Sequence, residues 1–187
     1  GLSLGGSAAL NLAGAVRILT HSPDLDEFEG EVLVDWGQTD GDAFRQRYNG
    51  MLNVPIVEDK LGLRVVGFYR NEEGWVDNIG TGVENANTLE NWGGRAILLW
   101  EPTDRTSVRL MALHETSEPE DSQLINPTLG SDRDQRNTRR PDIFAAELNS
   151  LNATVDHDFG FANFTSSTTY SLYDQKFIID LDATFGG

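Results

Sequence analysis

The feature that most constrains this fold is a pair of alternating runs within residues 45–70. Each run carries apolar side chains at one parity and arginines at the other. The apolar positions are Tyr48, Leu52 and Val54 in the first run, and Leu61, Leu63, Val65 and Tyr69 in the second. Because successive strand side chains point to opposite faces, the runs predict a long antiparallel hairpin with one apolar face. Pro55 cannot donate to a sheet ladder, so we expect it to end the first strand.

The rest of the chain continues this pattern as an antiparallel meander. Strands are predicted at residues 14–20, 28–36, 43–54, 61–70, 92–100, 106–115, 143–154 and 159–173. The connections are short at 37–42, 55–60, 101–105 and 155–158, and long at 71–91 and 116–141. Apart from the first connection, 37–42, short turns and long loops alternate, and this alternation is typical of bacterial outer-membrane barrels, whose strands have similar lengths. The pattern alone leaves a soluble β-meander open.

Composition excludes several classes of function. The net charge of −16 leaves no basic stripe for non-specific binding of nucleic acid. The chain has no cysteine, and no run of about 18 apolar residues predicts a membrane-spanning helix. No nucleophile-elbow, P-loop or dinucleotide motif occurs, and the three histidines lack the spacing of a metal site. We therefore expect no enzyme, no cofactor, and no catalytic, cofactor-binding or metal-ligating residue.

Four stretches together resemble one family. They are AGAVRILTHSPDLDEFEG at 13–30, NVPIVEDKLGLRVVGFYRNEEGWVDN at 53–78, GGRAILLWEPTDRTSVRLMAL at 93–113 and LNATVDHDFGFANFTSSTTY at 151–170. In this order they resemble the end of the plug domain and the first barrel strands of TonB-dependent outer-membrane receptors. The chain has no start methionine and both begins and ends in glycine, which also favours a piece of a longer protein.

The resemblance implies a fold and a domain organisation. Residues 1–23 would be the end of the plug domain, 24–27 a linker, and 28–187 the N-terminal part of a transmembrane β-barrel. This all-β meander would supply about seven of the family's roughly twenty-two strands.

The resemblance also implies active transport at the outer membrane. The expected partners are outer-membrane lipid, the TonB complex acting through a region absent from this chain, and a ferric siderophore, cobalamin or glycan as substrate. A passive porin or adhesin, and a soluble β-sandwich or lipocalin-like binding module, are the alternatives.

Charged side chains at one parity are expected to line the lumen of such a barrel. They are Glu31, Asp35, Arg45, Arg47, Arg64, Arg95, Arg109 and Glu147. We expect them mainly to pair with one another and with the plug, and secondarily to guide substrate. The opposite, lipid-facing set is Val32, Val34, Tyr48, Leu52, Leu61, Leu63, Val65, Leu98, Trp100, Val108, Leu110, Leu148 and Phe164.

Overall fold

The structure, a computed structural model, describes residues 20–39, 43–130 and 134–180. These residues form an all-β fold with a single short 3-10 helix at Pro127–Leu129. The strands are β1 (Glu29–Gln38), β2 (Phe44–Val57), β3 (Leu61–Glu72), β4 (Asp77–Asn78), β5 (Leu89–Thr103), β6 (Thr106–Pro119), β7 (Gln135–Arg136), β8 (Ile143–Asp158) and β9 (Asn163–Ile178). The predicted strand at 14–20 falls almost wholly outside the described residues, and Thr20 itself is not in a strand.

Seven of these strands form one antiparallel sheet in the order β1-β2-β3-β5-β6-β8-β9. Every neighbour in the sheet is also the next long strand in sequence, which confirms the predicted meander. The sheet is open, because β1 and β9 are its two edges and do not pair with each other. The two shortest strands, β4 and β7, pair in parallel inside the long loops.

The strands are longer than the alternation predicts. β5 has 15 residues and both β8 and β9 have 16, because paired backbone groups continue into segments that were expected to be turns. The prediction that Pro55 ends its strand is wrong. Pro55 lies within β2 at a register shift between Pro55 and Val57, and a bulge is one of the few places where a strand tolerates proline.

The pairing registers separate two faces. Directly paired residues share a face, so the register rows Leu52–Val65–Ala96 and Leu63–Leu98–Leu110 define the apolar face. The other face, which we call the polar face, carries the rows Asn53–Arg64–Ile97 and Asp35–Arg47–Arg70. Twelve of the thirteen predicted apolar positions lie together. The exception is Leu148, which pairs with Glu115 and so belongs to the polar face.

The apolar face is exposed along the whole sheet. Val32 is 79%, Tyr170 62% and Trp100 48% accessible. Two tryptophans of β5 mark the two ends of this face. Trp92 lies near the long loops and Trp100 near the short turns. They lie eight residues apart on one strand, which corresponds to about 26 Å. Trp92 stands beside Tyr69 and Tyr48 in adjacent strands, so the aromatic row at the loop end crosses three strands.

The long loops form a compact cap over one end of the sheet. We call residues 73–88 together with 120–130 and 134–142 the loop cluster. Val76 is 0% and Ala86 5% exposed, and backbone hydrogen bonds join Asp77 to Asp134 and Ile79 to Arg136. Gly74 permits this close packing, because a Cβ there would lie 2.0 Å from the Asn85 carbonyl oxygen.

Candidate functional site

The polar face brings the predicted charged residues together. Seven of the eight, Glu31, Asp35, Arg45, Arg47, Arg64, Arg95 and Arg109, fall on register rows that share this face. Glu147 does not, and its predicted placement is wrong. It pairs with Thr116, whose row contains Trp92 and therefore belongs to the apolar face.

Charge pairs concentrate at the loop end of the polar face. Glu72 accepts hydrogen bonds from both Arg47, at 2.7 Å, and Arg70, whose Nε and Nη2 lie 2.7 and 2.6 Å from its two oxygens. The second contact is a bidentate fork, the arrangement that makes arginine–carboxylate pairs strong. Arg45 lies 3.5 Å from Asp35. Most of the positive charge at this end of the face is therefore balanced by carboxylates of the same face.

The short-turn end of the polar face has a different charge balance. Arg64, Arg95 and Arg109 lie on β3, β5 and β6 around Ile97, which is 1% exposed. Arg64 contacts Glu29 at 3.2 Å, and Arg109 donates to the Thr20 hydroxyl at 2.6 Å. Among the described residues, none accepts a hydrogen bond from the buried Nε of Arg95.

The segment before β1 is held against the polar face by one side chain. Asn53 is fully buried; its Oδ1 accepts from the Asp24 backbone N–H at 2.9 Å, and its Nδ2 donates to the Asp24 and Glu27 carbonyls at 3.0 and 2.6 Å. Gly62 leaves room for this segment, since a Cβ there would lie 2.9 Å from the Leu25 side chain. The chain therefore enters the sheet along a fixed path across the polar face.

An acidic group lies where this segment meets the turn after β2. Backbone N–H groups of Asp26 and Glu27 donate to the Asp24 carboxylate at 2.8 and 3.0 Å and lower its pKa. A hydrogen bond with the Asp59 carboxyl raises the pKa of Asp26, and the nearby charges of Asp24 and Glu58 act in the same direction. The pKa values of the two aspartates are thus shifted in opposite directions.

The loop cluster is organised around a buried arginine. Arg136 is 3% exposed and lies 2.8 Å from Asp121 and 2.5 Å from Asp142. Buried Asn78 donates to Asp121 at 2.8 Å and so ties one loop to the other. Asp180, after β9, accepts from the backbone of Arg139 at 2.6 Å, which brings a third segment to the same place.

Two of these residues are not predictable from the pattern of the sequence. Asn53 occupies an ordinary polar position in an alternating strand, and only the tertiary contact with residues 24–27 distinguishes it. Arg136 lies in a loop rich in arginines, and its burial depends on two aspartates, Asp121 and Asp142, on either side in sequence. The presence of aspartates both before and after Arg136 in sequence is a weak signal of its burial.

Two histidines of the sheet, His114 and His157, each contact a neighbouring side chain. His114 lies 2.8 Å from Asn149 and packs on Trp92 with ring centroids 4.8 Å apart. His157 lies 2.9 Å from the Thr106 hydroxyl. In the part of the chain that the structure describes, no three His, Asp or Glu side chains are placed to hold a metal ion.

Comparison of the chain with protein-family models, curated proteins and solved structures finds no match. No helix among residues 20–39, 43–130 and 134–180 is long and apolar enough to cross a membrane.

Proposed function

We propose that this chain is part of a TonB-dependent outer-membrane receptor: the end of its plug, the linker and the first strands of its barrel wall. Such a receptor takes up a large nutrient, a ferric siderophore, cobalamin or glycan, with energy relayed by the TonB complex. The observation that carries the proposal is the pair of unlike faces on one open sheet. An exposed apolar face bounded by aromatic residues suits lipid, and a charged opposite face suits a lumen.

Two features disfavour the alternatives. A soluble β-sandwich covers its apolar face with a second sheet, and the described residues supply no such sheet over Val65 and Leu98. A passive porin needs an open lumen, whereas residues 20–27 are hydrogen-bonded to the polar face through Asn53 and Arg109. A segment in that position is what a plugged barrel requires.

The absence of cysteine allows a direct test of the two faces. Leu151 on the apolar face and Ser150 on the polar face are adjacent in β8. Leu151→Cys and Ser150→Cys variants of the whole receptor, of which we propose this chain is a part, would be expressed in a Gram-negative cell, and the membranes of that cell would be separated and treated with maleimides.

We expect both variants in the outer membrane. The thiol of Leu151→Cys should be labelled only by a lipid-soluble maleimide, because it faces lipid. The thiol of Ser150→Cys should also be labelled by a water-soluble maleimide, because it faces the lumen. Recovery in the soluble fraction, or equal labelling of both variants by the water-soluble reagent, would contradict the proposal.

Energised uptake needs a second measurement. Accumulation of a labelled ferric siderophore, cobalamin and an oligosaccharide would be compared in cells with and without an active TonB complex. We expect one of the three to accumulate only when both this protein and the TonB complex are present. Uptake that persists without the TonB complex would indicate a passive channel instead.

A further inference from the structure

The polar face differs in charge between its two sides. β1, β2 and β3 each place at least two charged side chains on it, among them Asp35, Arg47 and Arg70. By contrast, the polar-face residues of β8 from 144 to 154 and of β9 from 165 to 177 are all uncharged. We call these residues the neutral strip. In a chain of which 24% is charged, such a strip is a local property of these two strands.

Neutral hydrogen-bonding groups form the half of the neutral strip that lies toward the short turns. Three directly paired rows hold contacts between side chains: Ser150 with Ser171 at 2.8 Å, Asn152 with Thr169 at 2.8 Å, and Thr154 with Ser167 at 2.9 Å. Thr169 is exposed and accepts its hydrogen bond from the Asn152 amide, so its own O–H group can donate to a ligand. This half of the strip therefore offers hydroxyl groups in a regular row.

Exposed aromatic rings form the half of the neutral strip that lies toward the long loops. Phe177 is 60% and Tyr173 59% exposed. Phe144 packs edge-on against Phe177, with ring centroids 4.8 Å apart and ring planes at 77°. Tyr173 pairs with Leu148 on the same face. Large exposed apolar side chains bordered by polar residues mark interaction sites.

Aromatic rings and neutral hydroxyls on one strip match the chemistry of a carbohydrate. A sugar presents C–H faces that pack against aromatic rings, and hydroxyls that exchange hydrogen bonds with serine, threonine and asparagine. None of these contacts needs a charge on the protein. Charged neighbours on β6 lie at the border of the strip, where Arg109 pairs with Thr154 and Glu115 with Leu148. The net charge of −16 disfavours an anionic ligand.

We propose that the neutral strip binds an uncharged oligosaccharide. Phe177 and Tyr173 would pack against sugar rings, and the hydroxyls of Thr169 and Ser171 would hydrogen-bond to sugar hydroxyls. The ten residues from 144 to 154 extend over about 33 Å, which matches an extended chain of sugars better than a compact chelate. Only the transport of this ligand rests on the proposed function, within which the strip selects a glycan from the three classes of nutrient.

The test measures binding of maltohexaose, cellohexaose and xylohexaose by calorimetric titration. The full chain would be folded in micelles of a detergent without a sugar headgroup, so that the detergent does not compete. We expect at least one of the three to bind, and Tyr173→Ala and Phe177→Ala each to weaken that binding by about tenfold. Tyr170→Ala is the matched control, because Tyr170 is 62% exposed on the same strand but lies on the apolar face.

Two adjacent threonines test the hydroxyls without changing the size of the side chain. Thr169→Val should weaken binding by about threefold or more, because it removes a hydrogen-bonding group. Thr168→Val should leave binding unchanged, since Thr168 lies on the apolar face. Equal melting temperatures of these two variants without sugar would show that lost binding is not lost folding.

The outcomes separate the strip from the receptor. Binding of none of the three sugars, or equal weakening by Tyr170→Ala, would overturn the strip as a glycan site. Tighter binding of the anionic hexagalacturonate than of every neutral sugar would also overturn it. Such a failure in a protein that still fractionates with the outer membrane would leave the receptor proposal standing. Binding by a protein that fractionates as soluble would support the strip and remove the receptor proposal.

Discussion

Asn53 connects the segment before β1 to the sheet through one side chain. It makes three hydrogen bonds to the backbone of Asp24 and Glu27 while fully buried. An alanine would leave three backbone groups without these partners. Each buried unsatisfied group costs about 1–3 kcal/mol, although water can recover part of that cost. The position of residues 24–27 therefore depends strongly on this amide.

We predict that Asn53→Ala lowers the free energy of unfolding by about 2–3 kcal/mol and releases residues 24–27. A Glu-specific protease should then cut after Glu27 much faster than in the unchanged chain. Asn49→Ala is the control, because Asn49 is an exposed residue on the same strand and face. If both variants are cut at equal rates, Asn53 does not hold the segment.

The acidic group at Asp26 predicts a pH dependence of the same contact. A raised pKa means that the folded chain holds the Asp26 proton more tightly than the unfolded chain, so this contribution is lost as the pH rises through the raised pKa. The lowered pKa of Asp24 acts oppositely, and its contribution is lost as the pH falls. Asp26→Asn should therefore raise the melting temperature at about pH 7 and have little effect at about pH 3.

Asp24→Asn should change the melting temperature in the opposite direction to Asp26→Asn. It should lower the melting temperature at neutral pH, where the Asp24 carboxylate accepts two backbone hydrogen bonds, and matter less in acid. Melting curves of both variants in detergent between these two pH values make the measurement. The same change for both variants at neutral pH would contradict the two assigned shifts.

The misplacement of Glu147 shows where residue-level prediction fails. In each of the first three long strands, all charged residues lie at one parity, so the face of each arginine is predictable. In β8, apolar residues occur at both parities, with Ile143 and Leu151 on one face and Phe144 and Leu148 on the other. The face of a strand without alternation depends on its register with β6. That register is a tertiary property that periodicity does not contain.

At the scale of elements, the loop cluster depends on Arg136. Removing one partner of a buried charge pair leaves the other charge uncompensated and costs about 3–5 kcal/mol. We predict that Arg136→Ala unfolds the loop cluster locally while β2, β3 and β5 remain paired. Protease cleavage within residues 73–88 and 120–142 should accelerate, with the β-sheet circular dichroism retained.

Arg140→Ala is the control for that change, since Arg140 is an exposed arginine of the same loop. It should leave the cleavage rate unchanged. Loss of the whole sheet signal in Arg136→Ala would show that the loop cluster and sheet unfold together. The sequence predicted these long connections as plain polar loops, because their order comes from contacts between segments far apart in the chain, such as Asn78 with Asp121.

The two faces make a second prediction at the element scale. Val65 and Arg64 are neighbours on β3 and point to opposite faces. If the proposed receptor assembles in a bilayer, Val65→Arg should lower its stability by about 2–4 kcal/mol, because arginine near the bilayer midplane is unfavourable on a lipid face. Arg64→Leu should be milder. The measurement is unfolding of both variants from lipid vesicles by denaturant, and equal effects would contradict the assignment of faces.

At the scale of the whole molecule, alternation and loop lengths were sufficient to predict the meander. Hairpin succession leaves few other pairings when each connection is short or folds back locally. The resemblance to a receptor family rests on sequence stretches alone and remains a proposal. The charge balance of the polar face was not predictable, because it depends on which strands stand side by side. Arg47 and Glu72, for example, are 25 residues apart in sequence and meet only through the β2–β3 register.

The open sheet leads to the last prediction, which concerns the chain in water. The backbone edges of β1 and β9 are unpaired in this sheet, and unpaired edges invite association. The apolar face is continuous from Val32 to Tyr170, both of which are largely exposed. The net charge of −16 slows association but hides neither feature.

We therefore predict that residues 1–187 expressed alone sediment as aggregates and become monodisperse only when detergent covers the apolar face. Centrifugation, size exclusion and circular dichroism with and without detergent make the measurement. As a control, Val65→Glu together with Leu98→Glu, both on the apolar face, should raise the soluble fraction, because charges interrupt the patch. A soluble monomer with a cooperative thermal transition and no detergent would mean that this sheet is stable in water. The chain would then be a binding module and not a piece of a membrane wall.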